Sequence, residues 1–295
     1  LELCDDGEAQ LWCPRLLLLL LLPFAAVVLD LLLLLLALVV SEETGQISYI
    51  KDGEFVSHWG NGEIKEKGTY QDGLKVGEWA FYFKNGQLES KGCYNGATEY
   101  GSPIQDGKWV SYYENGQIKG RVTYKDDIEV GKMTTWNENG QIIAEGNYKD
   151  GKLNGEWTEW HENGQIETKG TIKDDMDVGK WTSWFENGQI QAEEHYKDGK
   201  RDGKWTSWYE NGQKSNERNW KDNWEDGKWT WWYENGQKSF EQNWKDGEED
   251  GKWSNWHKNG QIWREENYKD GKYDGKYTNW YSNGKVWAEG NFKDG

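Results

Sequence analysis

Residues 197–213 read KDGKRDGKWTSWYENGQ, and variants of this stretch fill most of the 295-residue chain. Its Asn-Gly pair recurs with Asn at positions 61, 85, 115, 139, 163, 187, 211, 235, 259 and 283. The spacing is 24 residues throughout, except for 30 residues between 85 and 115. Self-similarity at a fixed period is typical of a repeat array, in which each unit packs mainly against its neighbours. We therefore predict about ten repeats over residues 45–295, with a short insertion at 95–104.

Aromatic residues dominate the composition, with 22 Trp and 16 Tyr. Such residues suit half-buried pleated surfaces, so the composition predicts β structure. The formal net charge is -17, whereas the phosphates of nucleic acids and anionic lipids require Lys and Arg. We therefore expect no nucleic-acid partner and no binding of the array to an anionic membrane surface. A protein partner is favoured, with a polysaccharide as the alternative.

Each repeat contains two short β-prone runs around its Asn-Gly pair, which is a strong signal for a β-hairpin with a type I′ turn. A second turn, Lys-Asp-Gly-Lys in many repeats, returns the chain to the next hairpin. The fold class is therefore predicted as all-β, an elongated twisted antiparallel meander of about 20 strands. The alternative is a solenoid with one hairpin per turn. The structural Asn-Gly turns are Asn163-Gly164, Asn187-Gly188, Asn211-Gly212 and Asn235-Gly236.

Alternation along the strands divides each hairpin into two faces. Counting outward from the turn places Trp157 opposite Gly170, and we expect the ring to cover that glycine. The same count places Trp205 and Tyr209 on a mostly apolar face and Trp208 on the other, polar face. On the second strand of a hairpin, the apolar face is expected to carry Ile142, Gly146 and Tyr148.

Residues 1–44 form a separate Leu-rich segment of low complexity, and residues 16–40 within it are long and apolar enough to span a bilayer. A signal peptide is a second interpretation, and translated non-coding sequence is a third. The chain would be membrane-anchored or exported under the first two interpretations, and cytoplasmic under the third.

The pattern Lys-Asp-Gly-Lys-x-x-Gly-x-Trp-x-x-Trp-x-x-Asn-Gly resembles MORN repeats, and more closely the MORN-variant repeats of YwqK-like antitoxin-family proteins. The clearest matches are residues 149–164, 197–212 and 269–284. The resemblance implies a β-hairpin array that acts in protein interaction or scaffolding, and it raises toxin neutralisation as a narrower possibility. A second resemblance, to choline-binding cell-wall repeats, implies a surface glycan or cell-wall binder.

No arrangement of residues in the sequence suggests catalysis, a cofactor or a metal site. His161 and His257 occupy the slot that Tyr209 fills in its repeat, so they are interpreted as replacements for an aromatic ring. No Ser-His-Asp or Cys-His arrangement concentrates in any repeat. We therefore predict a non-enzymatic protein without cofactor or metal.

The candidate binding residues are the tryptophans three positions before the Asn-Gly asparagines, because their neighbours are Thr, Glu and Gln. A regular row of aromatic surfaces in a polar setting suits a repetitive or extended partner. The alternative is that these rings only stack on one another. The row comprises Trp136, Trp160, Trp184, Trp208, Trp232, Trp256 and Trp280.

Overall fold

A computed structural model describes residues 52–295, together with two short strands at 38–40 and 47–49. Residues 1–37, which hold most of the expected membrane or signal segment, lie outside the described residues. The chain divides into two compact units, residues 1–141 and 142–295. None of the described residues belongs to a helix of sufficient length and apolar character to cross a membrane.

The first unit contains a two-stranded pair and a seven-stranded antiparallel meander. The strands are β1 (Leu38–Val40), β2 (Ile47–Tyr49), β3 (Gly53–His58), β4 (Ile64–Gln71), β5 (Leu74–Tyr82), β6 (Leu88–Ala97), β7 (Pro103–Tyr112), β8 (Ile118–Lys125) and β9 (Ile128–Trp136). β1 pairs with β2. From β3 to β9, each strand pairs with the next along the chain.

The second unit continues the same hairpin pattern. Its strands are β10 (Ile142–Lys149), β11 (Lys152–Leu153), β12 (Gly155–Trp160), β13 (Ile166–Lys173), β14 (Met176–Trp184), β15 (Ile190–Lys197), β16 (Lys200–Arg201), β17 (Gly203–Trp208), β18 (Lys214–Lys221), β19 (Trp224–Glu225), β20 (Gly227–Trp232), β21 (Lys238–Lys245), β22 (Glu248–Glu249), β23 (Gly251–Trp256), β24 (Ile262–Lys269), β25 (Lys272–Tyr273), β26 (Gly275–Trp280) and β27 (Val286–Phe292). The two-residue strands and the strands that follow them share a partner; for example, β10 pairs with both β11 and β12.

The predicted all-β class and the antiparallel meander of hairpins are confirmed in each unit. The solenoid alternative is wrong, because successive strands pair with one another within one sheet. The insertion at 95–104 extends the hairpin formed by β6 and β7. Residues 95–97 and 103–104 belong to these strands, which have ten residues each, and the residues between them form a tight turn in which Gly101 N–H donates to the Thr98 carbonyl at 2.9 Å.

The Asn-Gly turns differ from the predicted two-residue type I′ turns. Tyr209 N–H donates to the Gln213 carbonyl, and Gly212 N–H donates back to the Tyr209 carbonyl, each at 2.8 Å. The loop between them therefore has three residues. Gly212 has a φ of 79°, whereas Asn211 has no positive φ, as in a type I turn followed by a left-handed glycine. The turns Asn163-Gly164, Asn187-Gly188 and Asn235-Gly236 have the same hydrogen bonds.

Type I′ geometry is found at the other end of the hairpins, in the Asp-Gly turns. Asp150 and Gly151 have φ values of 53° and 76°, and they connect the paired residues Lys149 and Lys152. Positive φ at both central residues is the requirement of this turn, and Asp-Gly meets it at low steric cost. The type I′ turn was therefore predicted at the wrong end of the hairpin.

The predicted strand pairing is nevertheless correct for most of the hairpin, because two one-residue shifts in register cancel. The three-residue loop pairs Trp160 with Ile166, one position away from the predicted register, and a β-bulge then follows on the second strand. Beyond the bulge Trp157 pairs with Gly170, as predicted. The outer part of the hairpin is therefore in the expected register, whereas the part next to the loop is shifted by one residue.

The tryptophan rings cover glycines of the preceding strand and not the predicted cross-strand partner, whereas Tyr277 covers its cross-strand partner Gly290 as expected. A Cβ added to Gly170 would lie 2.1 Å from Cδ2 of Trp181, and one added to Gly146 would lie 2.5 Å from Cε3 of Trp157. The cause is a second β-bulge, which lies in β14 opposite Gly170. It begins at Gly179, whose φ is 69°. This bulge places Trp181 over the backbone of β13.

The apolar face holds the core of the second unit, as its sequence pattern predicts. Trp205, Trp220 and Trp229 are buried to 6–7% exposure. The ring centroids of Trp205 and Trp220 lie 5.9 Å apart, and those of Trp220 and Trp229 lie 4.8 Å apart. Because aromatic residues supply this buried surface, the unit needs few aliphatic side chains.

Candidate functional site

Each candidate tryptophan is the last residue of its strand and lies next to the three-residue loop. Trp160 ends β12, Trp184 ends β14 and Trp208 ends β17, and the other four end their strands in the same way. All seven side chains are half-buried. Strand alternation places Trp208 with Thr206 and Lys204, opposite the face of Trp205. We refer to the seven as the tryptophan row and, within the second unit, to the side of the sheet that carries the row from Trp160 to Trp280 as the row face.

An exposed isoleucine accompanies the row in two successive hairpins of the second unit. Trp160 pairs with Ile166, and Trp184 pairs with Ile190. Directly paired residues project on the same side of a sheet, and each isoleucine is 37% exposed. Counting outward from the turn predicts this slot, which Ile142 occupies in its repeat, on the apolar face. For Ile166 and Ile190 that prediction is wrong, because the bulge after the loop moves the slot to the row face.

Lysines fill the isoleucine slot in the two following hairpins. Lys214 pairs with Trp208, and Lys238 pairs with Trp232. The Lys214 ammonium lies 5.8 Å from the ring centroid of Trp232, within cation–π range. Lys238 makes the same contact with Trp256 at 5.6 Å. In these hairpins a cation therefore covers rings of the row.

Each of these lysines also joins an ion-pair group. Lys204 and Lys214 reach Glu217 at 2.8 and 2.7 Å. Lys228 and Lys238 make the equivalent contacts with Glu241, both at 2.7 Å. Burial alone would raise the pKa of both carboxyls, but the lysine hydrogen bonds outweigh it and hold each pKa below its ordinary value.

Hydrogen bonds from one repeat to the next fix the backbone of the row. The Tyr209 hydroxyl donates to the Trp232 carbonyl at 2.7 Å. His161 occupies the slot of Tyr209 and contacts the Trp184 carbonyl through Nε2 at 2.8 Å. A carbonyl can only accept, so Nε2 is the donor. His161 therefore acts as a replacement for the tyrosine, as its slot indicated.

The turn asparagines add a second link between neighbouring repeats, which the sequence pattern did not predict. Asn211 Nδ2 donates to the Glu234 carbonyl of the next repeat at 2.9 Å, and Asn211 Oδ1 accepts the Gln213 N–H at 3.0 Å. Asn163 does the same with Glu186 and Gln165. The asparagine is thus suited to its slot by its side-chain amide. Its recurrence at a constant period is the signal that could have indicated contact between neighbouring repeats.

Within residues 52–295, no group of three or more His, Cys, Asp and Glu side chains is arranged to hold a metal ion. The features of the row face are half-buried rings, exposed isoleucines and lysine–carboxylate groups. These features can contribute apolar contact, cation–π contact and ion pairing to a bound partner.

Comparison with known proteins gives a clear result at the level of the repeats. No curated protein matches the chain. Among solved structures, the Photorhabdus luminescens Tc holotoxin pore is similar over 77% of this chain and 15% of its own chain, at 8% identity and a TM-score of 0.20. The TcdB2–TccC3 complex is similar over 82% and 19%, at 9% identity and a TM-score of 0.15. The chain thus spans less than a fifth of either.

The repeats themselves match the family described as MORN repeat variant. The matched residues are 51–72, 75–95, 105–126, 129–150, 153–174, 177–198, 201–222, 225–246, 249–270 and 273–294. Ten tandem matches cover most of the chain and coincide with the hairpins of both units. The protein therefore belongs to the MORN repeat variant family.

Proposed function

We propose that this chain is a non-catalytic interaction scaffold that binds an extended protein partner along the row face. The observation that carries the proposal is the pairing of Trp160 with Ile166 and of Trp184 with Ile190 in successive hairpins. Both isoleucines are 37% exposed on this surface. Solvent-exposed apolar positions that repeat on one face are typical of interaction surfaces.

The dimensions of this surface suit an extended ligand. Trp160 and Trp184 end strands that are separated by one other strand, β13. At roughly 4.8 Å between neighbouring strands, successive sites are about 10 Å apart. This spacing allows an extended peptide that crosses the strands to place an apolar side chain at each tryptophan–isoleucine pair.

The charged groups beside the surface favour a protein over a polyanion. Lys214 and Lys238 are already engaged by Glu217 and Glu241, and the chain as a whole has a formal net charge of -17. Phosphate-rich ligands would therefore be repelled. A neutral or cationic partner segment would not be repelled by the negative charge of the chain, and its apolar side chains would cover the exposed isoleucines.

The proposal is tested by capture of binding partners with the full chain and with the double variant Ile166→Lys, Ile190→Lys. Lysine occupies this same slot at Lys214 and Lys238, so the variant should fold normally. We expect it to lose the partner bound by the unmodified chain. Circular dichroism and thermal unfolding check that the fold is unchanged.

Met176→Lys is the matched control. Met176 is also apolar and 43% exposed, but it lies beside an Asp-Asp turn at the start of β14, away from the row. Lysine is found at the equivalent positions Lys152 and Lys200. The control should capture the partner normally. Equal capture by all three proteins would disprove the proposed surface.

A glycan is the second candidate ligand, because half-buried rings at regular intervals also suit stacking against sugar units. A polysaccharide panel run with the same three proteins separates the two candidates. Neutralisation of a toxin is the narrowest form of the protein-binding proposal. It requires the captured protein to be toxic when expressed alone and harmless when expressed with this chain.

A further inference from the structure

One hydrogen bond that links successive repeats of the first unit is interrupted at Phe83. The Tyr113 hydroxyl donates to the Trp136 carbonyl at 2.8 Å, and Trp59 makes the equivalent bond through Nε1 at 2.9 Å. Phe83 occupies the same slot in the repeat between them, two positions before an Asn-Gly asparagine. Its ring carries no donor, so Phe83 cannot supply this bond to the equivalent carbonyl, that of Tyr112.

An open cavity of about 480 Å³ lies at this position. Its size falls within the range of small-molecule sites, which combine apolar walls with a few polar groups. The residues that line it include three half-buried aromatic residues, Phe83, Tyr112 and Tyr113, and three exposed charged residues, Glu114, Lys119 and Glu138. The cavity therefore combines aromatic surface with both donors and acceptors of hydrogen bonds.

Hydrogen bonds between loops hold the walls of this cavity in place. Asn85 Nδ2 donates to the Glu114 carbonyl at 3.3 Å, and Asn115 Nδ2 donates to the Glu138 carbonyl at 2.8 Å. Three successive Asn-Gly loops are thereby joined around the cavity. The site is formed before a ligand arrives, as is usual for small-molecule sites.

The charged residues of the cavity favour a neutral ligand. The Lys119 ammonium lies 5.7 Å from the ring centroid of Tyr113, within cation–π range. A cationic ligand would therefore meet an ammonium group that already lies over this ring. An anionic ligand would be repelled by Glu114 and Glu138 and by the formal net charge of -17.

We propose that this cavity binds a neutral sugar unit of a glycan. A sugar ring presents apolar C–H groups that pack on aromatic rings, and its hydroxyls both donate and accept hydrogen bonds. One hydroxyl takes the place of the missing tyrosine hydroxyl and donates to the Tyr112 carbonyl. Other hydroxyls donate to the carboxylates of Glu114 and Glu138 and accept from Lys119. This site belongs to the first unit, whereas the proposed protein-binding surface belongs to the second.

The test titrates the full chain with four probes. Cellotetraose and tetra-N-acetylchitotetraose are neutral glycans, tetragalacturonate is an anionic glycan, and p-cresol is a phenol like the side chain of tyrosine. Calorimetry measures affinity, and the side-chain amide resonances of Asn115 report on the cavity wall. We expect at least one neutral glycan to bind about ten-fold more tightly than tetragalacturonate and p-cresol and to shift these resonances.

Phe83→Tyr is the test variant, and Phe185→Tyr is its matched control. Phe185 occupies the same slot in the second unit, and tyrosine is found there at Tyr209, so both variants should fold normally. The new hydroxyl at position 83 should donate to the Tyr112 carbonyl and thereby exclude the sugar hydroxyl. We expect Phe83→Tyr to weaken glycan binding about ten-fold, and Phe185→Tyr to leave it unchanged.

Three results would overturn the proposal. They are equal glycan affinity of the two tyrosine variants, binding of tetragalacturonate or p-cresol as tight as that of the neutral glycans, and no binding of either neutral glycan. The Ile166→Lys, Ile190→Lys variant should bind the glycan normally, and Phe83→Tyr should capture the protein partner normally. The failure of one proposal is therefore distinguishable from the failure of the other.

Discussion

Two stretches of the second unit differ in what their tryptophan rings pack against. In residues 142–184, which we call the glycine-backed stretch, Trp157 and Trp181 lie directly over Gly146 and Gly170. In residues 200–256, the ring-on-ring stretch, Arg218 and Gln242 occupy the equivalent slots. A ring cannot lie on the backbone there. Instead, Trp220 packs on Trp229 at 4.8 Å and Trp244 packs on Trp253 at 5.4 Å.

The difference shows that the residue in the slot of Gly170 determines whether the neighbouring tryptophan ring contacts the backbone or other rings. A missing side chain lets the indole cover the backbone, as Trp181 covers Gly170. A larger side chain holds the ring away, and the rings then pack on one another. The slot does not decide the indole hydrogen bond, since Trp229 Nε1 donates to the Asn219 carbonyl at 2.8 Å and Trp79 Nε1, whose ring covers a glycine, donates to the Thr69 carbonyl at 3.2 Å.

The largest expected effect is the loss of a ring from the ring-on-ring stretch. Trp220→Ala should destabilise that stretch by about 3–5 kcal/mol, because a buried ring with two ring neighbours is replaced by a cavity. The equivalent change in the glycine-backed stretch, Ile172→Ala, removes a smaller buried side chain and should cost about 2–3 kcal/mol. Native-state hydrogen exchange measures each stretch separately. A larger cost for Ile172→Ala would contradict the proposed difference in packing.

The next largest effect is expected when the glycine-backed stretch is given a side chain. Gly170→Ala places a Cβ at 2.1 Å from Trp181 Cδ2, so the ring must move, at a cost of about 1–3 kcal/mol. Gly60→Ala is the control, since its Cβ would meet nothing within 4 Å and its φ is not positive. Thermal unfolding should shift for the first variant and not for the second. Equal shifts would show that the ring contact is unimportant.

Lowering the pH should reduce the stability of the ring-on-ring stretch, because Glu217 and Glu241 become protonated. Their folded-state pKa values are lowered, so they stabilise the fold at pH values above the unfolded pKa of about 4.3. This contribution is lost as the pH falls through the folded-state pKa values. The effect is a fraction of a kcal/mol per group, because the lysines are half-exposed. The double variant Glu217→Gln, Glu241→Gln should show a smaller loss of melting temperature between pH 6 and pH 3, and an unchanged loss would exclude these carboxyls as its cause.

The smallest effect is expected for Lys214→Ile, which gives the ring-on-ring stretch the residue found at Ile166 and Ile190. The lost ion pair with Glu217 is partly exposed, so stability should change by less than about 1 kcal/mol. The variant should extend the proposed binding surface by one hairpin and increase partner affinity. Weaker binding would indicate that Lys214 itself contacts the partner.

Much of the fold could be predicted because it depends on local chemistry repeated ten times. The period and the β-prone runs predict hairpins, and alternation predicts that Trp205 is buried while Trp208 lies on the other face. The site was predicted less completely. Ile166 was not recognised as a neighbour of Trp160, because the three-residue loop and the bulge beside it shift the pairing by one residue at this position alone.

The sequence by itself therefore determined the number of repeats, the strand pairing and the aromatic nature of the core. Only the tertiary structure decided which turn is type I′, because Asn-Gly and Asp-Gly are both compatible with positive φ. It also decided which strand each ring covers, since that depends on bulges between neighbouring strands. Finally, it brought Phe83, Tyr112 and Tyr113 to one cavity, a grouping of residues from neighbouring repeats that no local pattern encodes.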